Sequence, residues 1–544
     1  MLRSTLRFAS AIILLCVTTL TQAATVAYIK SDPFNGSSFS RTDAMTVTYS
    51  GAVPPNSISS TDVKLQSATG IQPVLVSVSG AVVSIRPKTP LLPWTNYTLT
   101  APSVLSTDGA QAGSPLIINF KTQDGEWQPP QLLYSLAAGQ WNVVTRSNAK
   151  GVRFILWLQT NASGGDDIWA VRQLPGKPAE APALVKSYPY GIYDLNVFID
   201  DDGNAMASWV VQRTGPPYAE LLRVSRFLAG TGSWAGWGTP QNLDDVYSEA
   251  GENSGSGLHI VFDHAGNALA VWGRYQCCGY HELQTIVASR YTRVNGWTGP
   301  TVLDDSGNSI VGGDNDIELR MDDAGNGYAV WSVGGLPYTQ PPMIAHYTLN
   351  TGWNTPQPAG PYQPNNQAWQ HALAVNHQGE AMIIWPDFDG LNYVRGDSSG
   401  NLSTPHLVAD EFQPALNIVL PDNGRAIAVF ADGVRQFVPS QNSWTSKHPL
   451  FAGQTSGVSD AQIVADATGN AFVAWTQASK GINRIFAKRY LYNYGWQAPI
   501  AVDTNDTLGA GLEELRLDTS GSATVSWWQN NASGTADVMA AHYQ

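Results

Sequence analysis

A turn glycine followed six residues later by a large aromatic recurs eight times in this 544-residue chain, and no other feature restricts its fold more. The pairs are Gly151/Trp157, Gly203/Trp209, Gly266/Trp272, Gly325/Trp331, Gly379/Trp385, Gly424/Phe430, Gly469/Trp475 and Gly521/Trp527. Around Gly325 the local pattern is clearest. The alternating run Ile317-Glu318-Leu319-Arg320-Met321 leads into Asp322, two small or polar residues, Gly325 and Asn326, and then Gly327-Tyr328-Ala329-Val330-Trp331. Gly and Asn tolerate positive φ and Asp caps its own backbone, so the unit reads as a β-hairpin. Residues two, four and six after the glycine share one strand face, as in Ala205/Ala207/Trp209, and two small residues beside a large one suit closely stacked sheets.

Two further signals complete the unit. A third extended run follows each aromatic, as in Ala288-Ser289-Arg290-Tyr291, Ala345-His346-Tyr347, Ala487-Lys488-Arg489-Tyr490 and Ala541-His542-Tyr543. A fourth begins with an aromatic, or its replacement, three residues before a proline, as at Trp237/Pro240, Trp297/Pro300, Trp353/Pro356 and Trp496/Pro499. Proline is confined to sheet edges and strand starts, so this fourth strand is outermost. Four antiparallel strands repeated eight times, with turn glycines 45 to 63 residues apart, predict an eight-bladed β-propeller. One fourth strand, Trp127–Leu133, precedes all eight sets, and the last set ends at Gln544 without one. The expectation is that Trp127–Leu133 completes the final blade and closes the ring.

Residues 24–124 lack the repeat but carry seven short β-rich runs separated by Pro, Gly, Asn and Ser: Thr25–Lys30, Met45–Tyr49, Val63–Gln66, Val74–Val78, Val82–Arg86, Tyr97–Thr100 and Leu116–Lys121. That density predicts a β-sandwich held by apolar packing alone, since the segment has no cysteine. The stretches IKSDPFNGSSF, VSIRPKTPLLPWTNYTLTAP and INFKTQDGEW resemble the bacterial Ig-like domain of the S-layer (SbsA) type. That resemblance implies a spacer or stalk in an exported protein and no catalysis. The fold class is therefore all-β, with residues 24–124 an Ig-like sandwich and residues 125–544 the propeller.

Residues 1–23 read as a signal peptide: Arg3 and Arg7 precede the 13-residue apolar core Phe8–Leu20, and Thr21-Gln22-Ala23 offers a small-residue cleavage site. The apolar core is short for a membrane span of roughly 20 residues. The expected location is exported, with no integral membrane segment in the mature chain. Cleavage removes two arginines and no acid, taking the net charge from −13 to −15. So acidic a surface argues against nucleic acid as a partner.

Only Cys277 and Cys278 remain after cleavage. Adjacent in sequence and bound for an oxidising compartment, they form either a strained vicinal disulfide or two free or intermolecular thiols.

In a propeller, the connections from fourth to first and from second to third strands share one rim. Long ones here are 212–218, 244–257, 273–282, 304–316, 334–342 and 360–370, the four from 244 to 342 falling in neighbouring units. They gather Tyr218, Tyr275, Tyr280, His281, Tyr338 and Trp369, aromatics suited to stacking on sugar rings or to a protein hot spot, and equally to packing loop on loop. The same rim carries Asp244, Asp245, Glu249, Glu252, Asp304, Asp305, Asp314 and Asp316. Calcium binding and paired-carboxylate glycoside hydrolysis are conceivable there, but no spacing is diagnostic and solvated loop charge is the simpler reading. The Asp-x-x-Gly turns, at Asp200, Asp263, Asp322, Asp466 and Asp518, all but the last followed by Asn, lie on the opposite rim, where capping accounts for them.

The combination of Asp, Gly and Trp at a turn resembles sialidase-like propellers. Here, however, the Asp-x-x-Gly turn joins the first two strands, the leading Ser of the sialidase box is missing, and no arginine cluster for a sialic acid carboxylate is evident. No catalytic residue is carried over. No His-Glu-x-x-His zinc site, phosphate loop or Gly-x-Ser-x-Gly elbow is present. The expected role is binding of a glycan or protein ligand at a cell surface, with a secreted glycan-cleaving enzyme and a structural envelope component as alternatives.

Overall fold

The structure is a computed structural model, and it describes residues 27–104, 115–213, 219–231, 236–247, 255–276, 283–305, 317–333, 341–361, 370–387, 390–411, 417–450 and 458–544. The signal-peptide reading of residues 1–23 lies outside them. The chain divides into two compact units, one reaching Leu91 and including Thr95–Gln123, the other comprising Leu92–Trp94 and Asp124–Gln544.

The first unit is a two-sheet sandwich. One sheet orders Tyr28–Asp32, Met45–Tyr49, Val82–Pro87 and Val74–Ser79; the other orders Ser38–Phe39, Leu116–Thr122, Asn96–Ala101, Lys64–Ser67 and Gly70–Gln72. Alternation decides which side chains enter the core: Met45, Val47 and Tyr49 are buried while Thr46 and Thr48 are not. Phe120 packs edge-on to Phe39 at 5.7 Å and stacks on Tyr97 at 5.8 Å, so the core is apolar and aromatic.

The second unit contains eight sheets, each of four antiparallel positions. The innermost strands are Gln140–Ser147, Ile192–Ile199, Gly255–Phe262, Ile317–Met321, Ala372–Val375, Asn417–Val419, Ser459–Ala465 and Ala510–Leu517, numbered below as blades one to eight. Each touches the next, and the eighth touches the first, so the ring is closed. The eighth blade orders Ala510–Leu517, Ala523–Asn530, Ala536–Tyr543 and, on its outer edge, Gln131–Ser135 from the start of the unit. Trp127 bridges Tyr543 within the same seam. The outermost position is split where the proline falls. In the third blade Gly296–Trp297 pairs with Tyr291 and Thr292, the ladder breaks at Pro300, and Thr301–Asp304 resumes it.

The aromatics that define the repeat fill the spaces between blades: Trp157, Trp209, Trp272, Trp331, Trp385, Phe430, Trp475 and Trp527 are all fully buried. A second device recurs on the third strands, where an arginine of one blade stacks on an aromatic ring of the next. The pairs are Arg172 over Phe227 at 5.0 Å, Arg226 over Tyr291 at 4.5 Å, Arg395 over Phe437 at 5.6 Å and Arg489 over Tyr543 at 4.8 Å. Each such contact contributes about 0.5–2 kcal/mol, more as water is excluded.

The hairpin turns are held as their composition predicts. Asp200 Oδ1 accepts the backbone N–H groups of Asp202 and Asn204 while Oδ2 accepts the Asn204 amide, and Asp466 holds Thr468 and Asn470 likewise. Gly203 and Gly469 adopt φ of 78° and 92°, the left-handed region that excludes most side chains.

Candidate functional site: the axial cavity

An innermost strand has one edge free, because only its other edge pairs within the blade, and those backbone groups need partners. The side chain seven residues before the turn glycine supplies many of them. Asn417 Oδ1 accepts Ile463 N at 3.4 Å. Gln462 accepts Leu515 N at 2.8 Å and donates to the Glu513 carbonyl at 3.2 Å. Glu514 accepts Ser147 N at 3.0 Å and Ser147 Oγ at 2.7 Å, joining the eighth blade to the first. Glu318, at the same position in the fourth blade, accepts the backbone N–H of Leu373 in the fifth, and burial holds its carboxyl above the usual carboxylate range.

Toward the loop rim, five innermost strands carry a β-bulge. In four of them a residue in the left-handed region sits within it: Asn142, Asp194, Gly257 and Asp460, with φ of 48°, 51°, 65° and 53°. Bulges re-aim side chains, and here those of Asn142 and Asp194 line the axial cavity. In the eighth blade the bulged residue is Glu513. Burial pushes its carboxyl up to about 7, Asp460 and Glu514 reinforcing the shift and Arg146 opposing it.

The result is a cavity of about 770 Å³ lined by the innermost strands of seven blades. Its floor carries Arg146, Arg320 and Arg516 from blades one, four and eight. A second cavity of about 320 Å³ shares those arginines and continues to Asp200, Asp201 and Asp263 at the turn rim. Arg320 is paired with Glu318 at 2.9 Å. Arg146 donates to the carbonyl oxygens of Thr145 at 2.8 Å and Glu513 at 3.5 Å. Arg516 has no hydrogen-bond or ion-pair partner among the described residues. Between Arg146 and Arg320 around the ring, blades two and three add the apolar side chains of Leu195, Phe198, Leu258 and Val261.

This arginine belt is what sequence reading missed. All three stand five residues before a turn glycine, at Gly151, Gly325 and Gly521, a shared offset that places them at one height once the hairpin register is known. Dispersed over 370 residues of sequence, they do not look like a cluster.

The rim residues singled out from sequence fall largely outside the described residues. Tyr218, Tyr280, His281, Tyr338, Trp369, Cys277 and Cys278 are not among them, nor are Glu249, Glu252, Asp314 and Asp316. Tyr275 lies in the strand Ala268–Gln276, with its backbone alone described. The two rim acids with described partners are built into the scaffold rather than left as solvated loop charge. Asp244 is buried, accepts the Trp272 indole N–H at 2.8 Å and forms a two-pronged pair with Arg274 at 2.8 and 2.9 Å. Asp304 accepts the Trp331 indole N–H at 3.0 Å. Among the described residues no group of three or more His, Cys, Asp or Glu side chains is placed to hold a metal ion, calcium included.

Fold and site together define an all-β protein with an Ig-like sandwich followed by an eight-bladed propeller with a polar axial cavity. Residues 21–122 match the family model of the bacterial Ig-like domain. No curated protein sequence matches the chain. Solved structures similar to it include the polysaccharide lyase Uly1, with 10% identity over 75% of this chain and 91% of that one and a TM-score of 0.42. An ulvan lyase of a new polysaccharide lyase family shows 10% identity over 76% and 93% with a TM-score of 0.40. A protein of unknown function from Dyadobacter fermentans shows 10% over 77% and 99% with a TM-score of 0.36. No described helix is long and apolar enough to cross a membrane.

Proposed function

We propose that the chain is an exported binding protein whose propeller takes a glycan or protein ligand at the long-loop rim, with the axial cavity as the inner part of the site. The observation that carries this reading is the cavity itself: about 770 Å³, within the range of ligand pockets, with hydrogen-bonding side chains converging from seven blades and apolar ones among them. The bulges at Asn142, Asp194 and Asp460 support it, because left-handed non-glycine residues concentrate where backbone is shaped for function. The bacterial Ig-like domain fits a spacer that carries the propeller away from the cell surface.

A second reading has one specific observation behind it. A carboxyl held near pH 7, as Glu513 is, has the affinity expected of a general acid or base in glycan cleavage. Binding of purified protein to a glycan array, with product analysis of every hit, separates the two. Retention of a glycan with no new reducing or unsaturated ends supports binding; turnover abolished by Glu513→Gln supports cleavage. A protein that retains none of the glycans and captures no surface protein from the same cells has neither function.

A further inference from the structure

We propose that the axial cavity selects an acidic saccharide: Arg146 and Arg516, with Arg320 across from them, take a carboxylate or sulfate substituent while the sugar ring lies on Phe198. This rests on the binding reading above and names the ligand class. Arg146 and Arg516 come from adjacent blades, first and eighth, and occupy the same register position. Both are half-buried. Arg146 spends donors on backbone carbonyls only, and Arg516 on nothing described. A guanidinium offers five donors in a planar fork matched to carboxylate and sulfate oxygens, so two forks side by side retain most of that capacity for a ligand.

Of the acids facing the cavity, Glu513 shares its field with Arg146, and the others leave Arg516 without a partner among the described residues. Glu318 is committed to Arg320 at 2.9 Å. Glu514 accepts two hydrogen bonds from Ser147. Asp194 and Glu513 sit one layer outward, at the bulges, where they and Asn142 can meet hydroxyl groups. At the height of the arginines the other blades present Phe198, Val261, Ala374, Val419 and Val464, so Arg516 and Arg146 stand side by side, Phe198 and Val261 follow them around the ring, and Arg320, held by Glu318, lies beyond. A pyranose bearing one anionic group matches that arrangement: charge at one edge, C–H face at the other, hydroxyls around the rim. A simple anion has no use for Phe198, and a neutral sugar none for the arginines.

The test is affinity electrophoresis and calorimetry of the full purified chain with polygalacturonate, dextran sulfate, dextran, xylan and polyglutamate. Polygalacturonate or dextran sulfate should bind, the preference between them identifying carboxylate or sulfate, and dextran and xylan should not. Arg146→Gln and Arg516→Gln should each weaken binding roughly ten- to a hundredfold, the range for charge-assisted hydrogen bonds. Both variants should melt close to the parent protein. Equal binding of neutral and acidic polymers, unchanged in both variants, overturns this proposal and leaves the binding function standing. Polyglutamate binding as tightly as polygalacturonate overturns the saccharide part. If no polymer is retained, thermal stabilisation by millimolar glucuronate or sulfate decides the anion site, while the binding function is judged by the glycan and surface-protein captures above. Stabilisation of the parent but not of the double variant upholds it; none in either overturns it.

Discussion

Replacing Glu514 with Ala should loosen the ring where its two ends meet. Glu514 lies in the eighth blade, 7% exposed, and its two oxygens accept the backbone N–H and the hydroxyl of Ser147 in the first blade. Arg153, buried on the adjoining strand, also draws on its charge. A hydrogen bond to a charged acceptor contributes about 1.5–3 kcal/mol, so losing two costs about 3–6 kcal/mol. Unfolding entropy is about 2.1 cal/mol/K per residue, which over roughly 420 residues gives about 0.9 kcal/mol/K and a fall in melting temperature of about 3–7 °C. Glu514→Gln keeps one acceptor and can donate to the Ser147 hydroxyl, so its cost should be less than half as large. Calorimetry of Glu514→Ala, Ser147→Ala and the double variant measures the coupling directly. A coupling below about 0.5 kcal/mol, the additivity expected of independent sites, would refute the account of this seam.

Glu513 gives a pH signature. Its folded carboxyl titrates near 7, above the ordinary value of 4.5, so its contribution to stability is full below about pH 4.5 and is lost as pH rises through about 7. The difference in melting temperature between parent and Glu513→Gln should drift across that window, and a flat difference contradicts the assignment. Asp244→Asn and Asp304→Asn should each lower stability by about 1–3 kcal/mol, through weakened bonds to Trp272, Arg274 and Trp331, with ligand affinity unaltered once the protein is folded. An intact melting curve with lost binding would move these acids into the site. If the rim aromatics stack on ligand, Tyr280→Ala and Trp369→Ala each weaken binding by about 1–3 kcal/mol at constant stability; unchanged affinity in both removes them. A vicinal disulfide between Cys277 and Cys278 predicts an intact mass two hydrogens below the dithiol, and two free thiols in the monomer dismiss it.

The repeat was legible because a turn glycine and a buried tryptophan impose themselves on every blade alike. Gly325 and Trp331 differ little from Gly469 and Trp475, and each is needed for the same local reason. The axial site was not legible, because function resides where the blades differ. Arg516 occupies a position that is Val464 in the preceding blade and Ala374 in the fifth. Its relation to Arg146 exists only after the ring brings the first and eighth blades together. The bulges at Asn142 and Asp194 were equally hidden, since one extra residue in a strand leaves its alternating pattern almost intact. The arginine stacking between blades was half visible: the runs ending Arg290-Tyr291 and Arg489-Tyr490 were recognisable as strands, but not as two sides of neighbouring contacts.

The eighth blade also sets a timetable. Gln131–Ser135 is among the first parts of the propeller to be made, and its partner Ala536–Tyr543 is the last. At about 5–20 residues per second, the roughly 400 residues between them take about 20–80 s to synthesise. Throughout that interval the early strand has no permanent neighbour, and the ring exists as an open arc with one unpaired edge at each end. Final closure waits on Ala536–Tyr543.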